Sequence, residues 1–170
     1  MHNIAALKEV MTCESDFRIT RDGTWLHHGS PIARQSLVRL FSTILTRDGN
    51  GHFWLQTPAE KCGITVEDAP FIAIAMRVRI IDNLQVLCFK TNVNEWVTLD
   101  AGHKLILRPD PETGALLPYL HVRDGLEAKL SRTVYYELME YLLAQGEMRD
   151  GVRGVVSAGM FFPMEQGTGC

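Results

Sequence analysis

The sequence predicts an α+β protein: a duplicated strand-turn-strand-helix core, and a C-terminal domain built as a seven-strand antiparallel sheet or barrel with a C-terminal helix. Three observations carry this. Short apolar runs with two-residue alternation fill the middle of the chain. The tripeptide Arg-Asp-Gly occurs at Arg21, Arg47, Arg123 and Arg149, and the first and third copies stand at the same spacing as the second and fourth. A stripe of helical period follows the first copy and another follows the third.

Taken in order, Ile4, Leu7, Val10 and Met11 predict a short amphipathic helix over residues 3–12. Phe17–Thr20 and Trp25–His28 form a hairpin around Asp22-Gly23, because glycine accepts positive φ cheaply. Gly29-Ser30-Pro31 ends it. A helix follows from Arg34 to Leu45, with Leu37, Leu40, Phe41, Ile44 and Leu45 on its core face. Phe53–Leu55 is the next strand. In the second copy Tyr119–Val122 and Leu126–Leu130 flank the turn, a helix carries Tyr135, Met139, Leu142 and Leu143, and Val155-Val156 is a strand. Between the copies lie Ile64–Asp68, Phe71–Ile81, Leu84–Lys90, Glu95–Leu99 and Lys104–Leu107, with Asp82-Asn83 as a hairpin turn. That makes seven strands before the helix, an order loosely like pleckstrin-homology folds. The domains are predicted as 1–63 and 64–170.

The chain has 170 residues, 46% hydrophobic and 22% charged, which excludes disorder, collagen and coiled coil as descriptions of the whole. A net charge of -3 argues against a binder of DNA or RNA duplexes. Residues 17–63 nevertheless hold six basic against three acidic residues, and residues 64–170 ten against fourteen. That asymmetry suggests an anion-binding half. The four cysteines, 13, 62, 88 and 170, form no Cys-x-x-Cys pair and are expected as free thiols in a reducing cytoplasm, with no metal and no cofactor. No signal peptide is expected at the start, and the longest apolar run, Phe71–Met76, is too short to cross a membrane.

Few residues suggest chemistry. Arg34 in the first turn of its helix fits an anion site, since helix N-terminal amides favour negative charge. Trp25 and Trp54 offer rings for stacking a base, or core packing instead. Thr57-Pro58-Ala59-Glu60 reads as a capping box opening a helix. Glu60 is also placed to bind a ribose hydroxyl, and Lys61 to meet a phosphate. Glu67 and Asp68 point opposite ways on a strand, so they form no carboxylate pair. Asp68 fixes the turn into the long strand or pairs with an arginine. No His-Glu-x-x-His, Gly-x-Ser-x-Gly or P-loop spacing occurs.

The stretches Gly23–Arg34, Leu37–Phe41, Phe53–Lys61 and Val66–Phe71 resemble the proteobacterial domain-of-unknown-function 1285 family. The resemblance implies a duplicated core, a C-terminal domain loosely like pleckstrin homology, and signalling through a nucleotide-like ligand bound between the domains. It also implies that, of His27 and His28, it is His28 that faces inward.

The leading expectation is therefore a cytoplasmic, non-enzymatic sensor that binds a small anionic ligand in the cleft between the two domains. Trp25, His28, Arg34, Trp54, Thr57, Glu60, Lys61 and Asp68 are its candidate ligand-binding residues. The alternative is a protein-interaction module taking a peptide at a sheet edge. An exposed, mostly apolar edge strand, or the absence of a polar cleft, would favour that alternative. A hydrolase of unrecognised type, using Cys62 or Cys88 with a nearby histidine, is a third reading and needs a nucleophile, a base and an oxyanion site within reach.

Overall fold

A computed structural model describes residues 10–110 and 112–165. The chain divides into two compact units, residues 1–68 and 69–170. Gly63 and Ile64, where the sequence divides the domains, lie together inside one strand.

In the first unit the elements run β1 (Met11–Ile19), β2 (Trp25–His27), β3 (Ser30–Pro31), α1 (Gln35–Thr43), β4 (Leu45–Arg47), β5 (Phe53–Gln56) and β6 (Glu60–Val66). They form one six-stranded sheet in the order β3-β2-β1-β6-β5-β4. All its pairings are antiparallel except β1 with β6, which run parallel. Most of the helix predicted over 3–12 lies outside the described residues. Its last residues, Met11 and Thr12, belong to β1 and pair with Glu60 and Lys61, so long-range pairing overrides a weak local period.

Helix α1 is rotated from the face predicted, though Phe41 packs inward as expected. Val38 and Ser42 are buried, while Leu37 and Leu40 are exposed, Leu40 to 59%. The cause is aromatic: Phe41 packs on Trp25 and edge-on to Phe17, and this contact sets the helix rotation. Arg34 stands at the N-cap in extended conformation, not in the first turn. Thr57–Glu60 opens no helix. The Thr57 hydroxyl accepts from the Ala59 and Glu60 N–H groups as predicted, but the turn it closes joins β5 to β6.

The second unit contains β7 (Phe71–Ile81), β8 (Leu84–Thr91), β9 (Trp96–Thr98), β10 (Leu105–Pro109), β11 (Leu116–Arg123), β12 (Leu126–Leu130), α2 (Arg132–Gln145), β13 (Glu147–Arg149), β14 (Val152–Ser157) and β15 (Met160–Pro163). A six-stranded sheet has the order β10-β11-β12-β7-β8-β9, and β13-β14-β15 is a separate three-stranded sheet. The predicted seven antiparallel strands are thus six, because Ile64–Val66 belongs to the first unit's sheet. One pairing, β12 with β7, is parallel. Three strands follow the helix, which is therefore not C-terminal. The core holds Phe71, Phe89, Leu87, Leu120, Leu126 and Leu138, among others. On α2 the buried residues are Val134, Leu138 and Leu142, while Leu143 is exposed, a face one residue out of phase with the predicted stripe.

The order strand, strand, helix, strand, strand, strand recurs in both units, but the sheets do not. In the first unit β6 returns beside β1. In the second, β13–β15 stands apart and β12 finds β7. The Arg-Asp-Gly turns also split. Asp124-Gly125 and Asp150-Gly151 are left-handed at both residues. The loops Thr20–Thr24 and Asp48–His52 are longer and closed by N–H to O bonds of 2.9 Å, with only Gly23 and Gly51 left-handed.

Ser157 fixes the small sheet. Its buried hydroxyl donates to the Leu99 carbonyl at 2.6 Å and accepts from the Leu87 N–H at 2.9 Å. Gly154 in β14 has no room for a side chain. A Cβ there would lie 2.3 Å from the Phe162 carbonyl oxygen and 2.5 Å from the Phe161 ring. Gly154→Ala is expected to cost roughly 1–3 kcal/mol in urea unfolding, because backbone must shift to accept it. No described helix is long and apolar enough to cross a membrane.

Candidate functional site

Ile19, Trp25 and Leu55 are buried on one face of the first unit's sheet, where Phe41 of α1 stacks on Trp25, and strand alternation turns the neighbouring side chains the other way. On that second face Trp54 stands opposite Gly63, and Arg18 opposite Thr65. Two shallow depressions lie along it, of about 550 and 580 Å³. They adjoin at Ser15 and Thr65, and the two together are called the groove. Glu14, His52 and Trp54 line one end, and Asp16, Arg18 and His28 the other.

A break in strand register makes room for it. The pairing of β1 with β6 slips between Glu14 and Arg18, so Ser15, Asp16 and Phe17 leave the ladder. The Ser15 hydroxyl then donates to the Gly63 carbonyl oxygen at 2.5 Å. Asp16 is met by His28 Nδ1 at 2.7 Å, and its carbonyl accepts from the His28 N–H. His28 does not face inward as predicted. Strand β2 ends at His27, and His28 with Gly29 forms a left-handed turn that exposes both histidines. The His27 ring stacks on Phe17, 4.4 Å between centroids.

At the other end Asp48 organises the aromatic wall. One carboxylate oxygen accepts from the Asn50 and His52 N–H groups, and the other from Trp54 Nε1 at 2.9 Å. His52 Nδ1 lies 3.6 Å from the same group. The indole N–H and the His52 N–H hold the Asp48 carboxyl down at about 2. Because the folded state favours the carboxylate, its stabilising contribution is full above the ordinary carboxylate range and is lost as pH falls toward about 2. Comparing the melting temperatures of wild type and Asp48→Asn checks this. Their gap should hold constant above about pH 5 and shrink on acidification.

Trp54 lies against Gly63, where a Cβ would come within 3.7 Å of the ring, and Lys61 Nζ lies 4.5 Å from the ring centroid. Of the predicted residues, Trp54 lines the groove with Lys61 against its ring though outside the lining itself, and His28 lines the far end. Thr57 and Glu60 sit in the β5–β6 turn, with Glu60 3.9 Å from Cys62. Arg34 is exposed at the start of α1, and neither depression includes it. Trp25 is 2% exposed and belongs to the core. Asp68 follows β6, 3.9 Å from Arg21 Nε.

Sequence reasoning missed Ser15, Asp16, Arg18, Asp48, His52 and Thr65. Only Asp48 left a local signal, an acidic residue opening the glycine-rich loop Asp48–His52. The basic excess of residues 17–63 also disappears in the folded unit. Residues 1–68 hold seven basic and eight acidic residues. Two of those acids, Glu67 and Asp68, pair with Arg18 and Arg21.

Cys13 and Cys62 are not free thiols: they form a disulfide between β1 and β6. Cys88 is free and buried, as expected, and Cys170 lies outside the described residues.

No protein of curated function matches the chain. The crystal structure of a DUF1285 family protein from Silicibacter pomeroyi is 44% identical, covering 92% of this chain and 84% of that one, with a TM-score of 0.82. A second, from Shewanella baltica, is 25% identical, covering 74% and 91%, with a TM-score of 0.58. Residues 8–69 match the N-terminal domain of DUF1285, described as a domain of unknown function, and residues 70–164 match the C-terminal domain of the same family. With both domains matched in order along nearly the whole chain, this protein belongs to the DUF1285 family.

Proposed function

We propose that the chain is a cytoplasmic ligand-sensing protein of signal transduction that binds a small anionic, nucleotide-like molecule in the groove of its first unit. The observation that supports this is the Trp54 wall. A half-buried indole is held by Asp48 beside the Lys61 ammonium, above a floor opened by Gly63. A planar base stacks on such a ring for roughly 1–3 kcal/mol. Lys61 turns from the ring to a phosphate, and the Ser15 and Thr65 side chains line the groove beyond. The preference for an anion rests on Lys61, not on the charge of the unit, since Arg18 is paired with Glu67. The Cys13–Cys62 disulfide would be open to reduction in the cytoplasm, because Cys13 is exposed. We also read the recurring element order as duplication of one strand-turn-strand-helix unit, and the second unit's curled sheet as loosely pleckstrin-homology-like.

Thermal melting against nucleotides, cyclic dinucleotides and phosphorylated metabolites tests the reading. A ligand at about 100 times its Kd adds roughly 2.7 kcal/mol, several degrees for a chain of this size. Lys61→Ala should remove the shift and Arg34→Ala should leave it, since Arg34 lies outside the groove. A flat panel would sink the proposal. A hydrolase is less well supported: the serine of the groove donates to a carbonyl oxygen, and Cys88 is buried. The edge-binding module has a separate observation in its favour, the free edge of β7.

A further inference from the structure

Strand β7 pairs with β12 only through Phe71, Ile72 and Ala73. A register shift follows between Ala73 and Ala75, and beyond it β7 pairs only with β8, up to the left-handed turn Asp82-Asn83. From Ala75 to Ile81 the opposite edge of β7 therefore has no strand partner among the described residues. Natural sheets shield such edges, because unpaired N–H and C=O groups recruit other strands. This one is not short and carries no proline, and although helix α2 packs against β7, residues 77–81 stay exposed. Val78 and Ile80 project from one face of it, exposed to 44% and 69%. Arg77 and Arg79 project from the other and are exposed too. Arg77 lies over the Trp96 ring, 4.8 Å from its centroid.

The two arginines decide what fits. An antiparallel second copy of β7 would set Arg77 and Arg79 against the same arginines across the new pairing, and like charges opposite one another destabilise a sheet. A strand with carboxylates at those positions gains instead, and aliphatic side chains between them cover Val78 and Ile80. We propose that the free edge of β7, Ala75 to Ile81, takes an extended segment of a partner protein in which acidic residues alternate with aliphatic ones. This gives the edge-binding reading its partner chemistry and does not depend on a ligand in the groove. Seven residues of strand bury less than a standard interface, so binding is expected in the micromolar range.

The probes are capped seven-residue peptides alternating glutamate with valine, alternating lysine with valine, and the glutamate peptide with a central proline. Binding to the full chain is read by fluorescence anisotropy, and the place of binding by amide hydrogen exchange. The glutamate peptide should bind at least tenfold more tightly than the other two and slow exchange at residues 75–81. Arg79→Glu should weaken it at least tenfold and Arg79→Lys should largely preserve it, with melting temperatures unchanged, since Arg79 is exposed. Equal binding of the acidic and basic peptides would overturn the proposal. So would protection elsewhere than β7, or a concentration-dependent dimer that Ile80→Asp breaks. Peptide binding that survives a flat nucleotide panel leaves this inference standing while the groove reading falls, and the reverse result separates them the other way.

Discussion

Reduction of the Cys13–Cys62 bond should lower the stability of the folded chain by about 4 kcal/mol, or roughly 8–16 °C in melting temperature. The bond joins residues 49 apart in sequence, and constraint of the unfolded chain grows with the length of the closed loop. It links β1 to β6, the two central strands of the first unit's sheet, at a pairing where their Cα atoms are 4.5 Å apart. Cys13 is exposed and Cys62 partly so, which leaves the bond open to small thiols. Differential scanning calorimetry with and without reductant measures the change. Cys13→Ser should melt at the lower temperature in both conditions and lose its response to reductant. Four titratable thiols in the unreduced, denatured protein, with no response to reductant, would show instead that the pair does not close.

This pair also marks where the sequence stops being readable. Local rules found what is local. The bounds of β7 and β12, the hairpin at Asp82-Asn83 and the turn at Asp22-Gly23 follow from alternation and from residues that accept positive φ. The parallel partners do not. Nothing near Cys13 announces Cys62, and nothing near Phe71 announces Ala128, because parallel pairing joins distant segments without a turn between them. The groove inherits that blindness. Trp54 and Lys61 are legible as an aromatic ring and a cation but not as neighbours, since the sequence reads a helix start where the β5–β6 turn brings them together. Ser15 and Asp16 are not legible, since only the slip between β1 and β6 turns them into the site. Thr57 shows a subtler limit. A hydroxyl accepting from the next N–H groups serves a helix start and a hairpin turn equally well, and the strands on either side decide which forms. The helix faces fail for a related reason. Four or five apolar residues leave a stripe ambiguous by one position, and on α1 the Phe41 contacts with Trp25 and Phe17 resolve it.

Truncating Phe71 should cost the second unit about 3–5 kcal/mol, while Ile80→Ala in the same strand should cost no more than about 0.5 kcal/mol. Phe71 is fully buried at the start of β7. It stands beside Ala128 of the parallel strand β12, with the Arg123 guanidinium over its ring at 5.5 Å from the centroid. Phe71→Ala therefore leaves a cavity where the sheet changes pairing partner, and the arginine loses the face it rests on. Ile80 is 69% exposed near the other end of the strand and removes little apolar area from water on folding. Urea unfolding of the two variants measures the contrast directly. Similar losses would mean that the outer half of β7 is packed in solution and has no free edge. A large loss at Phe71 with a negligible one at Ile80 would mean that one strand serves two purposes. Its buried start holds the sheet together, and its apolar end contributes nothing to folding, so its exposed isoleucines and valine need an explanation outside the chain's own core.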